Sequence, residues 1–372
     1  MTNIKFCAPC LFGLEGAVSN ELKNLGAENV SAENGKVIFY GDEKMMYKAN
    51  LWLRCAERVL IELGSFKATT FEELFEGVKR LPFSDFIEKN DAFPVKGWSL
   101  NSTLSSVPAC QSIIKKAVVK SLESAYHQAW FEETGSVVQI QFSLLKDNVS
   151  IYIDTSGVGL HKRGYRPVSN QAPIKETLAA GIISLTKLYD DSNVYDPFCG
   201  SGTFAIEAAM KIKNIAPGLQ RHFAFEKFKF FNANDYKQVR TQALESVKKD
   251  ATFKVFASDI DPQCVSLTME NARRAGVAGH IKATVCDVKD FSIKTPRGVV
   301  FTNPPYGERL LEIKDAEKLY KTMGEVFVRS PGHSYFVISP HEEFEKFFGR
   351  GADKRRKLYN GMIKCQVYMY FK

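Results

Sequence analysis

The chain has 372 residues, of which 45% are hydrophobic, and 50 lysines and arginines against 42 acids give it a net charge of +8. That length suits two or three domains, and the apolar content excludes wholesale disorder. No long uncharged apolar run is present, which excludes a transmembrane helix. The opening Met1–Phe6 reads as a strand rather than a signal peptide.

In chain order, Ile4–Ala8 reads as a strand. Glu15–Leu25 reads as an amphipathic helix, with Leu14, Val18, Leu22 and Leu25 at helical spacing and Gly26 ending it. A strand at Gly35–Tyr40 and a helix beginning over Asp42–Ala49 continue a strand–helix–strand–helix order. That order suggests a ferredoxin-like module over residues 1–55. Next come strand Arg58–Lys67, helix Thr70–Arg80, strand Ala92–Ser99, helix Cys110–Glu123 and strand Val137–Leu145. A hairpin turning at Lys146-Asp147-Asn148 leads into Asn148–Thr155. The eight cysteines read as structural thiols in a reduced, cytoplasmic protein. Cys7-x-x-Cys10 has no second close Cys/His pair, and the six histidines lack ligand spacing, so no metal site is expected.

The second half carries the chemistry. Val194–Ala209 reads as strand, glycine-rich turn and helix, with Gly200 and Gly202 free to take positive φ and to let backbone approach a ligand closely. Ser201 and Thr203 are candidate caps of that helix. The turn lacks the Lys-Ser/Thr of a Walker A loop and the third glycine of the dinucleotide pattern. Asp196, at the strand's end, offers a carboxylate to a ligand ammonium. This suits the methionine part of S-adenosylmethionine better than a pyrophosphate. Lys254–Asp261 is a second strand ending in acids, and an acid there hydrogen-bonds ribose. Asp259 is the candidate, with Asp261 starting the next helix. Ala283–Asp287 supplies a third strand and acid, with Asp287 an acceptor for the adenine amine. Asp259 lies 63 residues after Asp196, where about 20 is usual. The excess is an excursion from Ile215 to Asp235, before a helix at Tyr236–Lys249.

The apolar run Gly298–Thr302 reads as a buried strand running into Asn303-Pro304-Pro305-Tyr306. Two prolines stiffen the turn and remove two donors, and Asn303 is pushed to an extended conformation. Such a turn can clamp a planar amine. The Asn303 side-chain oxygen and the Pro304 carbonyl each accept one proton, and Tyr306 stacks on the ring. Held this way, the nitrogen's lone pair aims at an electrophile, so positioning and electrostatics do the work and no metal or covalent nucleophile is needed. The target nucleotide must be splayed or flipped to arrive. Glu207 and Glu308, the nearest acids in sequence, read as surface residues. Beyond the clamp lie a helix at Ala316–Val328, a strand at His333–Ser339 and a hairpin signal at Asn360-Gly361.

Together these residues resemble the class I methyltransferases of exocyclic amines. More closely, almost the whole chain is similar to the THUMP-containing RNA methyltransferase family of YpsC-like proteins and the N-terminal half of RlmL. The carrying residues are Asp196–Thr203, Asn303–Arg309, Asn214–Leu219, Leu160–Arg166 and Ala172–Thr177. Leu100–Ser106 and Ile113–Val118 resemble the THUMP pattern. The resemblance implies an α/β, doubly wound, Rossmann-like catalytic domain over 159–372. An α+β part would precede it, ferredoxin-like over 1–55 and THUMP over 56–158. It implies S-adenosylmethionine bound by Asp196, Phe198, Gly200, Gly202, Thr203, Asp259 and Asp287, and catalysis by Asn303, Pro304, Pro305 and Tyr306. The implied reaction is methylation of guanine N2 in 23S ribosomal RNA or an assembly intermediate, in the cytoplasm. The clamp equally suits adenine N6 in DNA or RNA, or a side-chain amide, and a silent RNA-binding module is a further alternative.

Charge is unevenly spread: 16 basic residues against 19 acids in 1–160, then 34 against 23. Phosphate contacts therefore fall mainly to the catalytic half. Lys354-Arg355-Arg356-Lys357, with Arg350, is either a phosphate contact or a solvated loop. Lys162, Arg163 and Arg166 form a second candidate, and Lys115, Lys116 and Lys120 a third on one helix.

Overall fold

Strand β1 (Ile4–Pro9) buries Phe6, Cys7 and Ala8 and becomes the centre of the first sheet. The structure, a computed structural model, describes residues 3–166, 173–306 and 313–371. Ala172 and Gly307-Glu308-Arg309, quoted above, lie outside the described residues. After β1 come α1 (Glu15–Asn24), β2 (Glu28–Glu33), β3 (Lys36–Gly41) and α2 (Glu43–Trp52). Asp42 caps α2 through the Met45 N–H, at 2.8 Å. Then follow β4 (Leu60–Lys67), α3 (Phe71–Lys79), β5 (Val95–Leu100), α4 (Val107–Tyr126), β6 (Ile140–Leu145) and β7 (Asn148–Asp154). Thr70 and Glu73 form a capping box on α3, and Ser106 caps α4. The expected hairpin turns on Lys146 and Asp147, both at positive φ, with Leu145 paired to Asn148.

The strand order is β2-β3-β1-β4-β7-β6-β5. Residues expected to form two modules therefore share one continuous sheet, joined where Phe6 and Cys7 of β1 pair with Ile61 and Leu60 of β4. Strand β2 escaped the sequence reading. It is an edge strand of sequence Glu-Asn-Val-Ser-Ala-Glu, almost wholly exposed, so it has no apolar alternation to reveal it.

The second half begins with α5 (Glu176–Ile183), β8 (Asn193–Asp196), α6 (Thr203–Ile212) and α7 (Ala233–Glu245). It continues through β9 (Lys254–Asp259), α8 (Pro262–Arg274), β10 (Ile281–Val285), β11 (Gly298–Thr302), α9 (Ile313–Val326) and β12 (His333–Ser339). A short α10 (Phe344–Phe348) precedes the final pair β13 (Lys354–Asn360) and β14 (Ile363–Tyr370). The order is β10-β9-β8-β11-β12-β14-β13, parallel through β12, with β14 antiparallel to both neighbours. Strand order reverses between β8 and β11, the place where doubly wound sheets bind ligands. The final turn is Gly361-Met362, because Asn360 itself pairs with Ile363.

The excursion after α6 holds the halves together. Ala216, Phe223, Phe225 and Phe228 are buried in the core of the first sheet rather than the second. Gly218 N–H donates to the Leu51 carbonyl at 2.9 Å, and Phe225 N–H to the Thr155 carbonyl at 3.0 Å. Asn232 caps α7, three residues earlier than the spacing suggested, and its own N–H reaches the Tyr47 hydroxyl. No described helix is long and apolar enough to cross a membrane.

Candidate active site

The register of the second sheet sets the candidate residues out in steps. Asp196 ends β8 opposite Ala257, so Asp259 stands two residues further out on β9. Asp259 pairs with Val285, placing Asp287 two residues beyond that on β10. On the other side of β8, Val300 pairs with Tyr195, so Asn303 emerges two residues beyond the level of Asp196. Two residues advance a strand by about 6.6 Å. The three acids and the asparagine thus share one rim of the sheet, on either side of the switch point.

Asp196 is 1% exposed, and the Phe198 N–H donates to its carboxylate at 3.3 Å. Burial pushes this carboxyl well above the usual carboxylate range, and the neighbouring charge of Asp259 pushes the same way. A carboxylate so placed favours an arriving cation. Asp259 is partly used by the protein: its two oxygens accept the N–H groups of Gly200 at 2.9 Å and Asp261 at 3.1 Å. Each oxygen keeps a further lone pair for a hydroxyl. Asp261 caps α8 through the Gln263 N–H, as its position suggested. Asp287 accepts the Lys289 N–H at 3.0 Å, which holds its carboxyl below the usual range, and the Lys289 ammonium lies 3.4 Å away.

The glycine-rich turn takes positive φ at Gly200 (+52°) and Gly202 (+83°). A Cβ on Gly202 would stand 2.9 Å from Thr268 Cγ2, so packing on α8 also demands glycine here. Thr268 donates to the Gly200 carbonyl and Asn271 to the Ser201 carbonyl, each at 3.0 Å. These two buried residues of α8 fix the turn from behind, and sequence spacing gave no sign of them. Ser201 and Thr203 do not cap α6, contrary to expectation. Gly202 holds the cap position, and Arg166 donates to Thr203 Oγ1 at 2.7 Å and Ser201 Oγ at 3.4 Å.

Three further expectations are corrected at this level. Glu207 is buried, not a surface residue, and accepts from Arg163 at 3.3 and 3.4 Å and from the Tyr165 hydroxyl at 3.1 Å. Arg163, 2% exposed, also donates to the carbonyls of Leu160 and Arg54, and so ties the two halves beneath the turn. Against the cost of its burial, Glu207 keeps its guanidinium firmly protonated. Arg166 is half-buried and paired with Glu176 at 2.8 Å, so of this basic cluster only Lys162 is fully exposed. Lys115 is engaged by Glu133 at 2.6 Å and by the Phe93 ring.

On the clamp side, the Tyr306 hydroxyl donates to Asn303 Oδ1, and Asn360 Nδ2 reaches that hydroxyl at 3.4 Å. Burial pushes the phenol well above its usual range. The Pro305 carbonyl accepts from Tyr320 at 3.3 Å, while none of the described hydrogen bonds uses the Pro304 carbonyl. Ile260, directly after Asp259, is 68% exposed at this rim, an apolar surface that strand periodicity did not single out. Among the described residues, no cluster of histidine, cysteine or acid side chains could hold a metal.

Residues 163–369 match the RMKL-like methyltransferase domain model, 5–60 the RlmL ferredoxin-like domain and 68–154 the THUMP domain. The chain is 45% identical to the "Putative RNA methyltransferase YpsC" of Bacillus subtilis, over 100% of this chain and 97% of that one. It is 33% identical to ribosomal RNA large subunit methyltransferase K/L of Psychromonas ingrahamii, over 99% of this chain but only 50% of that longer protein. A "possible methylase" from Clostridium difficile 630 superposes with a TM-score of 0.95 at 42% identity, covering 99% of this chain and 98% of that one. SMU.472, crystallised with SAH, superposes at 0.93 with 41% identity, covering 100% and 98%. With a rim of strand-end acids beside an Asn-Pro-Pro-Tyr turn and these relatives along its full length, the chain belongs to the THUMP-containing class I RNA methyltransferase family, with S-adenosylmethionine as its cofactor.

Proposed function

We propose that this protein methylates the exocyclic amine of an RNA base, guanine N2 of 23S ribosomal RNA, in the cytoplasm. The observation that carries the reading is the Asn303-Pro304 turn emerging beside Asp196 at the switch point of the sheet. S-adenosylmethionine, when bound, supplies an electrophilic methyl group on a sulfonium sulfur. The rim fits that cofactor. Asp196 takes its ammonium, Asp259 its ribose hydroxyls and Asp287 its adenine amine. Phe198, Gly200, Gly202 and Thr203 complete the wall, and exposed Ile260 offers the adenine an apolar face.

Asn303 Oδ1 and the Pro304 carbonyl accept the two hydrogens of the target amine, so its lone pair points at the methyl group. Pro304 and Pro305 keep the turn stiff, and Tyr306 offers its ring to the base. The stiff turn fixes the Pro304 carbonyl before the base arrives, while Asn303 Oδ1 exchanges the Tyr306 hydroxyl for the amine. We divide the chain into a ferredoxin-like segment 1–55, a THUMP segment 56–158 and a catalytic segment 159–372, the first two gripping folded RNA by shape. The likeness to the large-subunit ribosomal RNA methyltransferase K/L favours ribosomal RNA; guanine N2 and adenine N6 both fit the two acceptors.

A transfer assay with labelled methyl groups on 23S ribosomal RNA, DNA and protein, followed by nucleoside analysis of the product, tests this. N2-methylguanosine in the ribosomal RNA is the expected product. N6-methyladenosine would move the target to adenine, and label only in DNA or protein would reject the reading.

A further inference from the structure

We propose that a cleft between Phe12 and Tyr359 binds a base of the single-stranded RNA that flanks the target nucleotide. This rests on the RNA reading above. The cleft has a volume of about 300 Å³ and is lined by Phe12, Gly13, Lys357 and Tyr359. Its walls come from opposite ends of the chain: the loop after β1 and the edge strand β13.

Phe12 is the unusual member. Its ring stands 57% exposed, yet its surroundings are pinned. Glu15 accepts the N–H groups of Gly13 at 2.8 Å and Gly35 at 3.0 Å, so one carboxylate braces the Phe12 loop against the β2–β3 turn. Arg356 Nε donates to the Gly13 carbonyl at 3.1 Å and clips the same loop to β13. The Phe12 and Tyr359 rings meet edge to face, 6.4 Å apart, and the Lys357 ammonium lies 5.6 Å from the Tyr359 centroid. Polar contacts already join the halves here, so they do not account for the exposed aromatic face. A stacking platform does, because every base presents a π-face to it.

Charge points to the same occupant. Lys354, Arg355, Arg356 and Lys357, readable from sequence as a phosphate contact or a solvated loop, are all exposed along β13. Arg355 is engaged by Glu345 and Arg356 by Gly13, which leaves the Lys354 and Lys357 ammonium groups facing solvent beside the aromatic wall. Basic side chains interleaved with exposed rings are what a single strand requires. Tyr359 also directly precedes Asn360, whose side chain reaches the Tyr306 hydroxyl at the clamp.

Phe12→Leu and Tyr359→Leu keep apolar bulk while removing the ring, and Phe12→Trp restores a ring. Methyl transfer to a 23S ribosomal RNA transcript is measured, with cofactor affinity by calorimetry and Tm alongside. Each leucine variant should raise KM for RNA about tenfold, with kcat and cofactor affinity unchanged, and Phe12→Trp should stay within about twofold of wild type. Lys357→Gln should lower the salt slope of RNA binding by about one. Wild-type KM in both leucine variants overturns the cleft, as does an unchanged salt slope in Lys357→Gln. If the wild-type protein itself labels no RNA, the RNA reading falls first, and that result is distinct from a failure of the cleft alone.

Discussion

The Tyr306 hydroxyl donates its proton to Asn303 Oδ1, the atom assigned to receive the target amine. The phenol thus fills the acceptor position that the base must take, and Asn360 holds it there from the final hairpin. On the proposed reading, an incoming amine would replace one hydrogen bond to Asn303 with another, so the acceptor would stay satisfied.

This arrangement separates the ring of Tyr306 from its hydroxyl. Tyr306→Phe should keep kcat/KM on RNA within about threefold, since the ring proposed to stack on the base is retained and Asn303 is freed. Tyr306→Ala should lose about 10- to 100-fold, as expected for a lost stacking partner. Equal losses in both variants would show that the hydroxyl, not the ring, carries the effect.

Burial costs the Asp196 carboxylate more than its hydrogen bond from the Phe198 N–H returns. Its folded pKa is raised, so the free protein gains stability as pH falls through that value and carries a penalty above it. Asp196→Asn should therefore raise the Tm of the cofactor-free protein at pH 7, by roughly 2–4 °C for each kcal/mol recovered. Calorimetry should show cofactor binding lost in the same variant. A lowered Tm would mean that the hydrogen bond from the Phe198 N–H outweighs the cost of burial.

Glu57 behaves in the opposite sense. It accepts from Thr177 at 2.5 Å and lies 3.4 Å from both Lys175 and His161. Burial works against its ionisation, but these partners win and hold its carboxyl down at about 2. A depressed carboxylate contributes stability above its unfolded pKa, near 4.3, that is lost as pH falls towards 2. Glu57→Gln should lower Tm at pH 7 and flatten the loss of stability between pH 5 and 2. Thermal melts across that range read both effects.

Asp259 couples the cofactor rim to the glycine-rich turn through Gly200 and Asp261. Asp259→Ala should weaken cofactor affinity by at least tenfold, from the lost ribose contact, about 1–3 kcal/mol, together with a loosened turn. Unchanged affinity by calorimetry would move the ribose contact elsewhere.

Much of the rim was legible because turn chemistry is local. Asp196, Asp259, Asp287 and Asn303 each follow an apolar run, and a strand's end is where such a run meets a polar residue. What joins distant segments was not legible. Glu207 sits on a helix where nothing in its neighbours announces that Arg163, 44 residues earlier, will bury it. The excursion at 215–235 could be recognised as extra length, but its phenylalanines fill the core of the other sheet. The run Lys354–Lys357 carried no strand signal because an edge strand left uncovered needs no apolar face. Thr268 and Asn271 brace the turn from a helix whose sequence looks like an ordinary polar surface.

The central claim is that Asn303 holds the target amine and does not hold the cofactor. Single-turnover methyl transfer by Asn303→Ala, with cofactor affinity measured on the same preparation, tests it most directly. The rate should fall by about 10²-fold or more, as for loss of one preorganised polar contact at a reacting centre. Cofactor affinity should stay within about twofold. A wild-type rate in Asn303→Ala would contradict the clamp.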